Sequence, residues 1–176
     1  MDKNRYLFGL SDDICLYEYP FPTGRLYLLG DDRLLKGVLF GGEVDNPLSL
    51  KERFLKGESG SLAVAIEYLD RYLTGEDSEM PALDLDGYTG TERQIYQYLQ
   101  TIPFGATISY ALLGERIGVV RGGRFVGNTM AKNRFPIFVP CHRVIRSDNT
   151  IGNYSAGSSV KRFLLEHERA ISRFRK

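Results

Sequence analysis

From residue 76 to residue 90 the chain is broken by Glu76, Asp77, Glu79, Pro81, Asp84, Asp86, Gly87 and Gly90, which leaves neither a helical period nor a strand alternation. Such a break in a 176-residue chain predicts two small domains, 1–85 and 86–176, and not one continuous core. The two sides also differ in charge. Residues 1–100 carry 10 Lys+Arg against 18 Asp+Glu, while residues 101–176 carry 13 against 4. A basic C-terminal half is the electrostatic footprint of a polyanionic partner. Neutralisation of one half by the other is the alternative, and both can hold together.

The N-terminal side predicts strands and then a helix. Runs at 6–10, 14–19, 24–29 and 34–40 are rich in aliphatic and aromatic residues, and Asp12-Asp13, Pro20, Pro22 and Asp31-Asp32 punctuate them, as in an antiparallel meander. An irregular stretch follows. Leu62, Ala65, Ile66, Leu69, Tyr72 and Leu73 then recur at helical spacing before Thr74-Gly75. The carboxylates of this half are scattered and read as a solvated face.

The C-terminal side predicts helices. Thr91-x-x-Gln94 reads as a capping box before Ile95, Tyr98, Leu99 and Ile102, and Pro103-Phe104-Gly105 ends that helix. Ser109 can cap a second helix over 110–117 that stops at Gly118, and a third is predicted over 124–132, stopped at Asn133. Two short helices joined through a glycine-containing turn are a helix-turn-helix candidate. The apolar run 135–139 predicts a short buried strand.

Several classes of protein are disfavoured. Hydrophobic content of 43% and charged content of 26% are ordinary for a globular chain, and no apolar run nears the roughly 20 residues that span a bilayer. The apolar stretch after the first five residues is too short for a secretory signal. Two distant cysteines suit a reducing compartment better than a disulfide framework.

The candidate chemistry lies in Pro140-Cys141-His142-Arg143-Val144. A thiol is a strong nucleophile only as thiolate, a minor species at neutral pH for an unperturbed cysteine. A neighbouring imidazole and the cations Arg143 and Lys161 can raise that fraction. The plain alternative is a buried cysteine beside a surface histidine. In an extended segment Cys141 and His142 point to opposite faces, so proton transfer between them needs a bridging water or a bend after Pro140.

This pentapeptide resembles the active-site signature of the O6-alkylguanine-DNA alkyltransferases. The likeness extends through Ile102-Pro103-x-Gly105, Ser109-Tyr110, Arg124-x-Val126-Gly127 and Asn133 upstream, and Gly152-Asn153-Tyr154-Ser155, Lys161, Leu164-Leu165 and His167-Glu168 downstream. It covers roughly residues 90–170. The resemblance implies a two-domain α+β fold: an N-terminal α/β, ribonuclease H-like domain with an antiparallel sheet, and a C-terminal helical winged helix-turn-helix domain carrying Cys141. Three residues depart from the family's habit: Phe125 stands where a small residue is usual, Arg134 where proline is usual, and tryptophan is absent.

By that resemblance Cys141 accepts the alkyl group, His142 draws its proton through water, and Glu168 orients the imidazole. Tyr110 donates to the leaving guanine at N3, Asn133 ties the turn after the recognition helix to the active-site segment, and Lys161 supports the site. The backbone around Val144 and Ser155 reads the base, Asn153, Tyr154 and Ser155 form the opposing wall, and Met130, Pro136 and Val144 complete an apolar pocket. Arg124 replaces the extruded nucleotide in the stack, with Arg121, Gly123 and Phe125 also at the DNA. For Glu168, a surface pairing with Arg169, Arg173 or Lys161 is the plainer reading; Tyr110 reads equally as a core aromatic and Lys161 as a solvated helix charge.

The implied partner is double-stranded DNA containing O6-alkylguanine, with O4-alkylthymine a second substrate to be tested. The protein is expected to be a monomer without cofactor, metal or membrane contact, working in the cytoplasm at the nucleoid, or in a nucleus. Cys15 and His167, the cysteine and histidine outside the motif, are too few for a zinc site. An S-alkyl thioether is not hydrolysed, so the reaction is expected once per molecule. A lesion-binding alkyltransferase-like protein would lack Cys141. A cysteine hydrolase or acyltransferase is disfavoured by the adjacent Cys-His and the basic half.

Overall fold

The computed structural model describes residues 7, 9–11, 13–44, 46–57, 59–119 and 122–174, and its contacts divide the chain into two compact units, residues 1–84 and 85–176. The architecture is α+β.

In the first unit, β1 (Cys15–Phe21), β2 (Gly24–Gly30) and β3 (Leu35–Phe40) form an antiparallel meander, with Phe21 opposite Gly24 across a two-residue turn. β2 lies between its neighbours and buries Leu26, Tyr27, Leu28 and Leu29, so both of its faces are covered. Tyr27 and Leu29 join Leu16, Leu39, Leu50 and Phe54 on one side. The alternation of a strand sends Leu26 and Leu28 to the other, where α2 (Gly60–Thr74) packs with Leu62, Ala65, Leu69 and Tyr72 buried. Each fully buried leucine among them contributes about 1.5–3 kcal/mol.

Two expectations for this unit are corrected. The run 6–10 falls partly outside the described residues, and its described part is no strand: Leu7 and Gly9 lie in a 3-10 turn and Leu10 in a bend. Leucines three apart suit such a turn, which sets both against the core cluster. The fourth strand is instead β4 (Leu55–Lys56), parallel to β1. The stretch expected to be irregular also holds α1 (Pro47–Arg53), started by Asn46, whose side chain accepts from the Leu48 N–H, and by Pro47 in the first turn.

The second unit opens with α3 (Gly90–Gln100). Its capping box is Thr89 with Glu92, two residues before the expected one: the Thr89 N–H donates to Glu92 Oε2 at 2.9 Å and the Glu92 N–H to Thr89 Oγ1 at 3.3 Å. The overlapping Thr-x-x-Glu wins because Lys132 Nζ, 2.6 Å from Glu92 Oε1, holds the carboxylate in place. β5 (Ile108–Ser109) precedes α4 (Tyr110–Arg116), which Ser109 caps by accepting from the Leu112 N–H at 3.1 Å. α5 (Gly123–Ala131) packs on α4. β6 (Val144–Ile145) pairs in parallel with β5, and α6 (Ser158–Phe174) closes the unit.

The run 135–139 is not a strand. It is a buried turn closed by the Val139 N–H donating to the Phe135 carbonyl at 2.8 Å, with Ile137 at φ 76°. A β-branched residue in the left-handed region is disfavoured and persists because the surrounding core holds it there. The residues are apolar because they are buried, and a five-residue apolar run does not distinguish a strand from a buried turn.

Candidate active site

Cys141 begins a 3-10 turn, Cys141–Arg143, and the bend takes the motif out of the extended geometry in which neighbours face apart. The thiol is 5% exposed. Asn133, buried at the end of the turn after α5, donates from Nδ2 to Cys141 Sγ at 3.0 Å and to the Val139 carbonyl at 2.9 Å, while its Oδ1 accepts from the Phe135 N–H at 2.9 Å. Asn133 thus ties the turn to the cysteine segment, and its bond to the sulfur goes beyond the backbone ties expected. A donor to sulfur favours the thiolate over the thiol.

His142 is fully buried with Nε2 2.6 Å from Glu168 Oε1. Burial pushes the imidazole below its ordinary value, Glu168 pulls it back up, and the charges of Arg143 and Lys161 lower it further. For Glu168 burial works upward, but the hydrogen bonds of His142 and Arg143 and the Arg143 charge outweigh it and hold the carboxyl below its ordinary value. The pair is therefore a carboxylate and a neutral imidazole. The proton sits on Nε2 and is donated to Glu168, which leaves the Nδ1 lone pair, buried and without a hydrogen-bond partner among the described residues, as a base.

Glu168 is held on every side. Arg143 Nε donates to Oε2 at 3.0 Å and Nη2 to Oε1 at 3.0 Å, and the Gly105 N–H donates to Oε2 at 2.9 Å. Gly105 has φ 79°, and a Cβ there would lie 3.2 Å from the Glu168 carbonyl, so a side chain would be both strained and crowded. Arg143 Nη1 also donates to the Ile102 carbonyl at 2.7 Å. The charge of Arg143 is thus spent on Glu168, a role the motif alone did not reveal, and Glu168 does not take the surface pairing.

Lys161 is buried. Its Nζ donates to the Val144 carbonyl at 2.6 Å and lies 5.7 Å and 5.9 Å from the ring centres of Tyr110 and Tyr154. Burial brings it down to about 8, against an upward pull from the Cys141 thiolate and a downward push from Arg146. Tyr110 is raised by burial and by the Cys141 charge, with Arg146 opposing, and so remains a neutral phenol able to donate.

A cleft of about 590 Å³ opens beside the sulfur, with Cys141, Tyr110, Met130, Asn153, Tyr154 and Ser155 in its walls. A volume of that order suits a small organic group such as a base. Gly152 lies within this wall, where a Cβ would stand 3.4 Å from the Tyr110 hydroxyl. Pro136 and Val144, expected in the pocket, are buried and absent from the cleft's lining; Val144 contributes by accepting from Lys161. Arg146, which sequence reasoning missed, does line the cleft. Arg124 and Phe125 are both exposed on α5, Phe125 by 38%, and Gly123 forms the first turn. Arg121 lies outside the described residues.

A family model described as "6-O-methylguanine DNA methyltransferase, DNA binding domain" matches residues 90–170. The methylated-DNA–protein-cysteine methyltransferase of Rattus norvegicus is 34% identical over 89% of this chain and 84% of its own length. That of Mycobacterium leprae is 37% identical over 84% and 88%. This chain belongs to the methylated-DNA–protein-cysteine methyltransferase family.

The fold agrees. The crystal structure of Mycobacterium tuberculosis OGT in complex with DNA matches with a TM-score of 0.77 at 31% identity, covering 89% of this chain and 94% of that one. Two departures from the methyltransferase pattern acquire a structural account. Phe125 does not turn into the core, and Arg134 is engaged with Tyr88, its guanidinium 4.8 Å from the ring centre. Among the described residues no helix is long and apolar enough to cross a membrane.

Proposed function

We propose that this methyltransferase repairs double-stranded DNA by moving the alkyl group of O6-alkylguanine irreversibly to Cys141. The observation that carries the reading is the Cys141 sulfur at the wall of a base-sized cleft, with a buried, neutral His142 beside it in sequence.

The organisation follows the resemblance: residues 1–85 form a ribonuclease H-like domain and residues 86–176 the DNA-binding and alkyl-transfer domain. α4 and α5 act as the helix-turn-helix, with α5 in the minor groove. An alkyl group on O6 lies inside the base stack, so the nucleotide is rotated out into the cleft, and Arg124 fills the space it leaves. Gly123 permits close approach of the backbone, while Phe125 and Arg121 add contacts to the duplex.

Within the cleft, Asn153, Tyr154 and Met130 confine the base and Ser155 reads its edge. His142, through a water, takes the Cys141 proton at Nδ1, with Glu168 holding the ring in the required tautomer. Asn133 and Lys161 stabilise the sulfur as an anion. The thiolate attacks the alkyl carbon in line: the S–C bond forms, the C–O6 bond breaks, and the electron pair leaves on guanine. Tyr110 donates to that base at N3. The thioether does not hydrolyse, so each molecule reacts once. The site of action is wherever the DNA lies, the nucleoid or a nucleus, and the working unit is a monomer.

The test is intact-protein mass after mixing with duplex DNA carrying O6-methylguanine. A single added methylene per molecule is expected for the native chain and none for Cys141→Ser. Turnover past one equivalent, or methylation of the Cys141→Ser protein, would exclude the mechanism.

A further inference from the structure

Three hydrogen bonds of the Tyr88 hydroxyl converge on the residues flanking Asn133. It donates to the Lys132 carbonyl at 2.9 Å, and it accepts from the Arg134 backbone N–H at 3.2 Å and from Arg134 Nε at 3.1 Å. The one donor of the phenol goes to Lys132, and its lone pairs face Arg134. The grip is reinforced around it. Arg134 Nη2 donates to the Asp86 carbonyl at 2.8 Å, Lys132 Nζ meets Glu92 at 2.6 Å, and the Tyr88 ring packs edge-on against Tyr96 with centres 4.9 Å apart.

Asn133 lies between those two gripped residues, and its side chain points the other way. All of its recorded bonds run inward, to the Val139 carbonyl, the Phe135 N–H and the Cys141 sulfur. The segment 86–88 therefore holds the outside of the turn, while the amide inside it holds the nucleophile. Arg134, where proline is usual in the family, supplies two of these bonds, one from its backbone N–H, which proline lacks, and one from its side-chain Nε.

We propose that Tyr88 is a positioning residue for alkyl transfer, its hydroxyl fixing the 132–134 backbone so that Asn133 keeps its bond to the Cys141 sulfur. In-line attack needs the sulfur at a set distance and angle from the alkyl carbon, and a misplacement of about 1 Å costs on the order of a hundredfold in rate. Loss of the donor also makes the thiolate harder to form. Tyr88 touches neither base nor sulfur and acts through Asn133 alone.

The inference rests on the alkyl-transfer reading, and the native chain is the control for that reading: if it takes up no methyl group, the reading itself fails. Where the native chain does react, single-turnover methyl transfer at saturating O6-methylguanine duplex is compared in Tyr88→Phe, Asn133→Ala and the double variant. Tyr88→Phe keeps the ring packed on Tyr96 and removes the hydroxyl, with its bonds to Lys132 and Arg134 and its contact with the Tyr96 hydroxyl. The expected result is a fall in the transfer rate of about tenfold, with the half-saturating DNA concentration unchanged within a factor of about two and the pH midpoint of the rate displaced upward. The double variant is expected to be no slower than Asn133→Ala. Losses that multiply, an unmoved pH midpoint, or an unaltered rate in Tyr88→Phe would each overturn the proposal. If Tyr88→Phe does not fold, Arg134→Ala, which leaves two of the three hydroxyl bonds, keeps the test open: a smaller fall with the same upward pH displacement supports the inference, and no displacement overturns it.

Discussion

The two units bury different things. Among the described residues the buried polar side chains of the first unit are Ser59 and Ser61, and its interior is otherwise aliphatic and aromatic. The second unit buries Glu92, Asn133, His142, Arg143, Lys161 and Glu168. Its core carries a carboxylate, a guanidinium, an ammonium and an imidazole in contact with one another or with backbone carbonyls. Burying charge is costly unless each group is paired, and replacing such a pair with apolar side chains often stabilises a protein. The first unit spends its interior on stability, whereas the second gives up stability to hold charges around a sulfur.

The sharpest way to break this contrast is Glu168→Gln. It removes the charge that answers both His142 and Arg143, and leaving a buried partner uncompensated costs about 3–5 kcal/mol. Unfolding by denaturant should show that loss, and methyl transfer by the protein still folded should fall by at least tenfold. A stable, fully active Glu168→Gln protein would mean that the carboxylate is an ordinary surface-type pair.

Leu29→Ala is the counterpart in the first unit. Leu29 is fully buried in the middle strand, so a loss of about 2–5 kcal/mol is expected. The methyl uptake per folded molecule should be unchanged, as read by mass after native-gel separation. A lower transfer rate in the folded fraction would show that the first unit also shapes the site.

Acid should discriminate the units as well. A carboxyl depressed on folding stabilises the protein above its unfolded value and loses that contribution as pH falls through the folded one. Glu168, lowered on folding, therefore supplies stability above its unfolded value of about 4.5 that is lost as pH falls through the folded one. His142 has the same sign. It is depressed by burial, so protonation of the unfolded imidazole begins the decline below about 6.5. In the first unit Asp31 is also lowered, burial opposing and the Leu34 and Arg33 N–H groups and Lys36 prevailing, but its side chain is 37% exposed and its contribution is screened. Denaturation midpoints measured from pH 7 to pH 3 should fall steeply in the native chain and flatten in Glu168→Gln. Parallel curves would contradict the assignment.

The smallest effect is expected at Phe125→Ala. An exposed ring contributes little to folding, so stability should stay within about 0.5 kcal/mol. Duplex affinity should weaken about fivefold, equivalent to about 1 kcal/mol, if the ring meets DNA. Unchanged binding in a filter or anisotropy titration would remove Phe125 from the interface.

Much of this was legible along the chain. Helix spacing located α2 and α3 to within about two residues, and Ser109 announced the cap of α4. The misses share a cause. The capping box shifted because Lys132, 40 residues from Glu92, selected one of two overlapping motifs. The 135–139 run became a turn because burial, not strand pairing, required its apolar residues. Arg143 was read as a cation for the thiol, yet it turned to Glu168, 25 residues away. Arg146 entered the cleft through a loop whose path no periodicity describes.

What the order of residues determined by itself is chemical identity: a cysteine after proline, an imidazole next to it, a basic half, and an acidic stretch that breaks the periodicity. Such properties are local and survive in an unfolded chain. Which imidazole nitrogen carries the proton, whether Glu168 stays ionised, and which amide donates to the sulfur were decided only by the tertiary structure. Those states depend on desolvation and on partners far away in sequence, and neither exists until the chain has folded.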